Sequence, residues 1–114
     1  MSSDPPSPQV VSFDGAAAEH DLGVRDIERV VDGVRWALVE YAPGAGRTEW
    51  CDSPHSGYVL SGELRYEFED GSPEMPVAAG QAFRLPTAPA HRGRNHGTEP
   101  VRLFIIDALP EGLG

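Results

Sequence analysis

Hydrophobic and charged residues alternate with a period of two along much of the chain. The clearest example is segment 56–71, in which the apolar residues Leu64, Tyr66 and Phe68 alternate with the charged residues Glu63, Arg65, Glu67 and Glu69. Successive side chains of a β-strand point to opposite faces of a sheet. The pattern therefore predicts a strand with one face in a core and the other in water.

Further short strands are predicted from the same pattern and from the turn residues between them. They cover residues 33–42, a segment that follows a Gly/Pro turn and ends at Cys51, and residues 75–78, 82–85, 91–95 and 101–107. Segment 20–31 has the length of a short helix, but Gly23 and the β-branched residues favour strand or irregular structure. Strands spaced by about 8–12 residues without helical crossovers predict an all-β, antiparallel sandwich or barrel.

Length and composition predict one small domain. Of the 114 residues, 1–9 are rich in Pro and Ser and are predicted to be disordered, whereas 10–114 are predicted to form a single domain. The N-terminus lacks the pattern of a secretory signal, and the longest strongly apolar run, residues 103–106, is too short to span a membrane. Cys51 is the single cysteine, which excludes an internal disulfide and favours a reducing, cytoplasmic location.

The charge balance argues against nucleic-acid binding. Nine basic residues, all of them arginine, stand against eighteen acidic ones, and the formal net charge is −9. Proteins that bind a phosphate backbone present clustered positive charge, whereas these arginines are scattered through an acidic chain. We therefore expect no nucleic-acid partner and attribute the acidity to solubility.

Four residues that are able to bind metals lie beside the predicted strands. Glu49, Cys51 and His55 fall within seven residues, and His91 follows the rigid turn 86–90. Carboxylate, thiolate and imidazole groups are all ligands of first-row metals. Each residue taken alone has an ordinary explanation, because an isolated cysteine is usually a small buried apolar group and isolated Glu and His are usually solvated. The spacing of the four residues has to decide between these interpretations.

The sequence around His91 resembles the second motif of the cupin superfamily. That motif is G-x5-P-x-G-x2-H-x3-N, and residues 80–95 read GQAFRLPTAPAHRGRN. The matching residues are Gly80, Pro86, His91 and Asn95, whereas Ala88 replaces the middle glycine. The resemblance places His91 at a metal-ligand position of the family.

The sequence around Cys51 resembles the first cupin motif in a variant form. In the motif G-x5-H-x-H-x3,4-E-x6-G, the closing glycine matches Gly62 and the glutamate position holds His55. With the three-residue spacer, the two histidine positions hold Glu49 and Cys51. All four ligand positions of the family thus carry residues that bind metals, although His91 alone keeps the usual identity.

The resemblance covers residues 33–107 and implies a double-stranded β-helix, or jelly-roll barrel, that holds one divalent metal. The thiolate of Cys51 adds a soft donor, which favours zinc or iron. If Glu49 binds the metal, four protein ligands close the site. If Glu49 turns away, the remaining three ligands leave one position for water or substrate. The sequence leaves both arrangements open.

The function that the resemblance implies is an enzyme with dioxygenase, isomerase, lyase or cyclase chemistry on a small organic molecule. Two alternatives stay open: a non-catalytic cupin that binds a metal or metabolite, for example as a sensor, and a metal-free structural cupin. No residue is assigned as a catalytic acid or base. We expect a homodimer, as for many small cupins. The residues expected to contact substrate are Trp36, Tyr66, Phe83 and Asn95, although Asn95 alternatively satisfies backbone groups of a turn.

Overall fold

The structure of the chain, a computed structural model, describes residues 8–108. Most of the segment predicted to be disordered and the last six residues of the predicted domain lie outside this range. The described strands are β1 (Ala18–Asp21), β2 (Val24–Val31), β3 (Val34–Tyr41), β4 (His55–Ser61), β5 (Glu63–Phe68), β6 (Met75–Ala78), β7 (Ala82–Leu85), β8 (His91–Arg94) and β9 (Val101–Ala108). Among these residues there is no helix with the length and apolar character needed to cross a membrane.

The strands form two antiparallel sheets with the core between them. The larger sheet has the order β1-β2-β3-β9-β4-β7, and the smaller one has the order β6-β5-β8. Leu64 of the smaller sheet and Leu103 of the larger one are fully buried. Tyr66 packs on Phe83 across the core, with ring centroids 5.1 Å apart. The predicted all-β fold is confirmed, and the architecture is that of a jelly roll.

Segment 56–71 alternates as predicted but is divided between β4 and β5. Leu64 and Tyr66 are buried, and Glu63 is exposed. The division falls at Gly62, where the backbone has a positive φ of 80°. A side chain there would place a Cβ atom 2.7 Å from the carbonyl oxygen of Pro100. Glycine is therefore required for the chain to turn from the larger sheet into the smaller one.

The prediction of a strand that ends at Cys51 is wrong. Residues 42–54 form a loop, which meets β8 at two isolated bridges, Gly46 with Arg94 and Cys51 with His91. Pro43 and Gly44 form a turn, with a φ of 80° at Gly44, and further bends follow before Cys51, so the segment does not keep a strand period. Segment 20–31, in contrast, does contain strand structure, namely the end of β1 and all of β2.

Candidate metal centre

Cys51, His55 and His91 converge on one point. One donor atom from each side chain, the sulfur or a ring nitrogen, lies within 4.8 Å of the other two. Cys51 Sγ and His55 Nε2 are 3.5 Å apart. Ligands of a tetrahedral zinc ion, at bond lengths of about 2.0–2.3 Å, lie roughly 3.3–3.8 Å from one another. The three side chains therefore need only small movements to bind a single ion.

Backbone hydrogen bonds between loop 42–54 and β8 set this arrangement. The Cys51 amide donates to the His91 carbonyl at 2.8 Å, and the His91 amide donates to the Cys51 carbonyl at 2.9 Å. Further along, the amide of Arg47 donates to the carbonyl of Gly93 at 2.9 Å. Residues that exchange hydrogen bonds in this way have neighbouring side chains. His55 is the first residue of β4, so it enters the group from the larger sheet.

The ring of His91 is buried without a polar partner. Only 2% of the residue is exposed, and neither ring nitrogen has a hydrogen-bond partner among residues 8–108. Burial, together with the neighbouring His55, lowers the pKa of His91 to about 4. The ring is therefore neutral at pH 7, the form in which histidine binds metals. A buried polar group without a partner costs about 1–3 kcal/mol, and a bound ion would remove that cost.

Two residues behind His55 had no role in the sequence analysis. The carboxylate of Asp107 lies 2.9 Å and 3.1 Å from His55 Nδ1, and Arg35 donates two hydrogen bonds to it, at 2.6 Å and 3.1 Å. Arg35 also donates to Glu28 at 3.0 Å. The sequence contains one indication of such a role, namely that the charged residue Asp107 directly follows the apolar run 103–106. The position of Asp107 beside a histidine 52 residues earlier was not readable from the sequence.

Glu49, the fourth predicted ligand, lies apart from this group. It lines the same cleft, but its side chain is exposed and it is not one of the three residues whose donor atoms converge. The argument that Glu49 and Cys51 share one strand face does not hold, because residues 48–49 form a bend within loop 42–54. That Glu49 binds a metal stays a prediction.

The three converging side chains open onto a cleft of about 830 Å³. Its lining includes the buried residues Val39, Tyr41 and Tyr66, and exposed acidic residues such as Glu49 and Asp52. Burial raises the pKa of Tyr41 to about 12 and that of Tyr66 well above its usual value near 10. Both hydroxyls therefore keep their protons at neutral pH and are able to donate hydrogen bonds.

Of the four residues expected to contact substrate, only Tyr66 lines the cleft. Its ring meets the ring of His91 edge-on, with centroids 5.9 Å apart. Trp36 packs instead on Phe104, with centroids 5.9 Å apart, and Phe83 is buried in the core. The described contacts of Trp36 and Phe83 are thus packing contacts, and a role in substrate binding stays a prediction.

Asn95 makes the backbone contacts that the sequence analysis named as its alternative role. The residue is 1% exposed. Its side-chain amide donates to the carbonyls of Tyr41, Ala42 and Glu99, and its side-chain oxygen accepts from the amide of Gly97. These bonds hold the end of β3 against the turn that follows β8.

Replacing Asn95 with alanine is expected to lower the free energy of unfolding by about 2 kcal/mol, because several buried backbone groups lose their partner. Urea denaturation of the metal-free protein measures this loss. Asn95→Asp is the matched variant: it keeps the size but cannot donate to the three carbonyls, so a loss of similar size is expected. A change below about 0.5 kcal/mol in both variants, the range of ordinary surface substitutions, would contradict this role.

The remaining histidines lie outside the group. His20 and His96 are exposed. His96 is near Glu67 and Glu74, and these three are also close enough to hold an ion. Glu67, however, already accepts a hydrogen bond from Arg92 at 2.8 Å. A nearby guanidinium neutralises that carboxylate and disfavours a cation there.

Comparison with known proteins agrees with the fold. The sequence profile described as Cupin domain matches residues 37–107. No curated protein matches the chain. Among solved structures, the polyketide cyclase RemF from Streptomyces resistomycificus is 16% identical with a TM-score of 0.72, over 88% of this chain and 78% of that one.

Two further structures are similar. KdgF from Halomonas sp. is 14% identical with a TM-score of 0.70, over 96% of this chain and 100% of that one. An oxalate oxidase is 23% identical with a TM-score of 0.67, over 85% of this chain. The chain spans only 57% of the oxalate oxidase. At these identities the likeness shows the fold alone.

Proposed function

This chain belongs to the Cupin domain family, and from that premise we propose that it is an enzyme that uses one divalent metal on a small organic molecule. The metal would be held by Cys51, His55 and His91. The observation that carries the proposal is the ring of His91, which is buried with both nitrogens unpartnered and lies beside the two other donors. Such a ring is costly in a metal-free protein and useful in a metal site.

The donor set supports zinc or iron. One thiolate and two imidazoles combine a soft ligand with two intermediate ones, a set that suits both metals better than magnesium or calcium. Copper is also bound by two histidines and a cysteine in some proteins, so it belongs in the same metal analysis. A bound divalent ion would act as a Lewis acid on an oxygen or nitrogen of the substrate or, in the case of iron, would activate oxygen.

The cleft supports a substrate that is neutral or positively charged. Each arginine that lines it already has a carboxylate partner: Arg35 is paired with Asp107, Arg47 with Asp21 at 3.8 Å and Arg92 with Glu67. The positive charge of each of these arginines is thus compensated, which disfavours the binding of a substrate carboxylate. The protonated hydroxyls of Tyr41 and Tyr66 are available as hydrogen-bond donors. The exposed carboxylates of Glu49 and Asp52, which line the same cleft, attract cations.

The three-ligand arrangement favours an enzyme over a closed, non-catalytic site. With Glu49 outside the group, three protein ligands leave a coordination position toward the cleft. A sensor or storage site would more commonly surround its ion with four protein ligands. Oxygenase, isomerase and lyase chemistry are all compatible with this arrangement, since the fold does not choose among them.

The test is elemental analysis of protein that has been purified without chelator. One equivalent of zinc, iron or copper is expected in the wild type and in Glu49→Ala, and much less in Cys51→Ala. Loss of the metal in Glu49→Ala would instead indicate a site closed by four ligands. A metal-free wild type whose thermal stability is the same with chelator and with added metal would overturn the proposal and favour a structural cupin.

A further inference from the structure

We propose that Asp107 is a positioning residue that selects which nitrogen of His55 binds the metal. This inference rests on the metal site proposed above. The carboxylate of Asp107 accepts hydrogen bonds and does not donate them, so the proton of the neutral imidazole lies on Nδ1, which is 2.9 Å from it. The lone pair is then on Nε2, the nitrogen that lies 3.5 Å from Cys51 Sγ. Asp107 thus presents the metal-binding nitrogen to the group.

The register of the larger sheet holds Asp107 in place. Arg35 on β3 is the direct cross-strand partner of Asp107 on β9, and it donates two hydrogen bonds to one carboxylate oxygen. On the other side of β9, Ser56 of β4 is paired with Ile106, which brings His55 beside Asp107. Asp107 is 8% exposed, so its contacts are shielded from water. The carboxylate is therefore fixed from one neighbouring strand and faces the ligand on the other.

Arg35 contributes to this arrangement by holding the carboxylate of Asp107. Its guanidinium compensates the buried charge of Asp107 and extends to Glu28 at 3.0 Å, where the chain of contacts reaches the surface. Without Arg35, the carboxylate of Asp107 would be a buried charge whose one remaining described partner is His55. The three residues Glu28, Arg35 and Asp107 thus form one line of contacts that ends at His55.

These contacts preorganise His55 for metal binding. Partners that hydrogen-bond to a metal-binding histidine fix the tautomer and the orientation of the ring, and their loss typically weakens metal binding about 10–100-fold. In Asp107→Ala the ring of His55 is free to rotate and to exchange tautomers. In Asp107→Asn, Arg35 continues to donate to the side-chain carbonyl oxygen, so the amide NH2 group is directed at His55 Nδ1 and favours the tautomer that is protonated on Nε2.

The experiment has one readout that needs no metal. Two-bond proton–nitrogen correlation spectra of the metal-free protein report the tautomer of His55. The Nδ1-protonated tautomer is expected in the wild type, the Nε2-protonated tautomer in Asp107→Asn, and a mixture in Asp107→Ala. Competition titration with zinc is expected to show binding roughly 10–100-fold weaker in both Asp107→Ala and Asp107→Asn.

A matched control makes the same chemical change beside another histidine. Asp26 lies 2.9 Å from the ring of His20, which is exposed, so Asp26→Asn is expected to leave zinc affinity unchanged. The proposal is overturned if His55 of the wild type is protonated on Nε2, or if Asp107→Ala binds zinc as tightly as the wild type. A wild type that binds no metal overturns this proposal and the proposed function together. A wild type that binds metal, with an unaltered Asp107→Ala, overturns this one alone.

Discussion

Replacing His91 with leucine is expected to remove most of the stabilisation by metal while making the metal-free protein more stable. The His91 ring is buried, and both of its nitrogens lack partners within residues 8–108. Leucine has a similar volume and no polar atoms, so the metal-free variant is expected to gain about 1–3 kcal/mol in the free energy of unfolding. A histidine whose role is to stabilise the fold would give the opposite result.

The loss of metal binding in His91→Leu follows from the number of ligands. Structural zinc sites distribute about 10–16 kcal/mol over four ligands, so the loss of one ligand is expected to weaken binding on the order of 100-fold. At a zinc concentration about 1,000 times the dissociation constant, the wild type would be stabilised by about 4 kcal/mol. For a domain of this size, that corresponds to a rise in melting temperature of roughly 15 °C, which the variant would largely lose.

Thermal denaturation with chelator and with added zinc measures both effects in one series. His96→Leu is the matched control, because the same substitution at an exposed histidine removes no buried group and no ligand of the group. Its dependence on zinc is expected to equal that of the wild type. The prediction is contradicted if His91→Leu is less stable than the wild type in chelator. The packing of the His91 ring would then stabilise the fold by more than its unpartnered nitrogens cost.

The metal-free protein is expected to lose stability in mild acid because of the same residue. The pKa of His91 is about 4 in the folded protein and near 6.5 in its ordinary state. Between these values the unfolded chain binds a proton that the folded one does not, so the free energy of unfolding falls as the pH falls. The loss begins near pH 6.5 and reaches roughly 3 kcal/mol by pH 4. Above pH 6.5 both states are neutral at this position and the effect disappears.

Urea denaturation between pH 4 and pH 8, in the presence of chelator, measures this dependence. Other groups also titrate in that range, so the quantity to compare is the difference between the wild type and His91→Leu at each pH. That difference is expected to grow by roughly 3 kcal/mol from pH 7 to pH 4 in favour of the variant. A difference that stays constant across this range would show that His91 is not held neutral by its surroundings.

Strand positions were predictable because they depend on local alternation. The period of two in residues 63–68 reflects one buried face and one wet face, and the structure forms β5 over those residues. The prediction failed in loop 42–54, where Cys51 takes part in a single bridge. There the contacts that hold the chain are backbone hydrogen bonds to β8, and such contacts leave no periodic pattern in the side chains.

The group of residues able to bind a metal was predictable in part for a different reason. Motif spacing placed Cys51, His55 and His91 at ligand positions, and their donor atoms do converge in the fold. The same spacing placed Glu49 at a ligand position, but a bend at residues 48–49 sets it apart from the three. Spacing records which residues lie near a site, whereas the path of the loop decides which side chains point into it.

The sequence by itself determined an all-β fold and a set of residues able to bind a metal, because periodicity and residue chemistry are local properties. Only the tertiary structure decided that His91 is buried without a partner and that Asp107 meets His55. Both depend on the order and register of strands that are far apart in the chain, since β9 lies between β3 and β4 in the larger sheet. Burial and long-range pairing are properties of that arrangement, and no single segment of the sequence contains them.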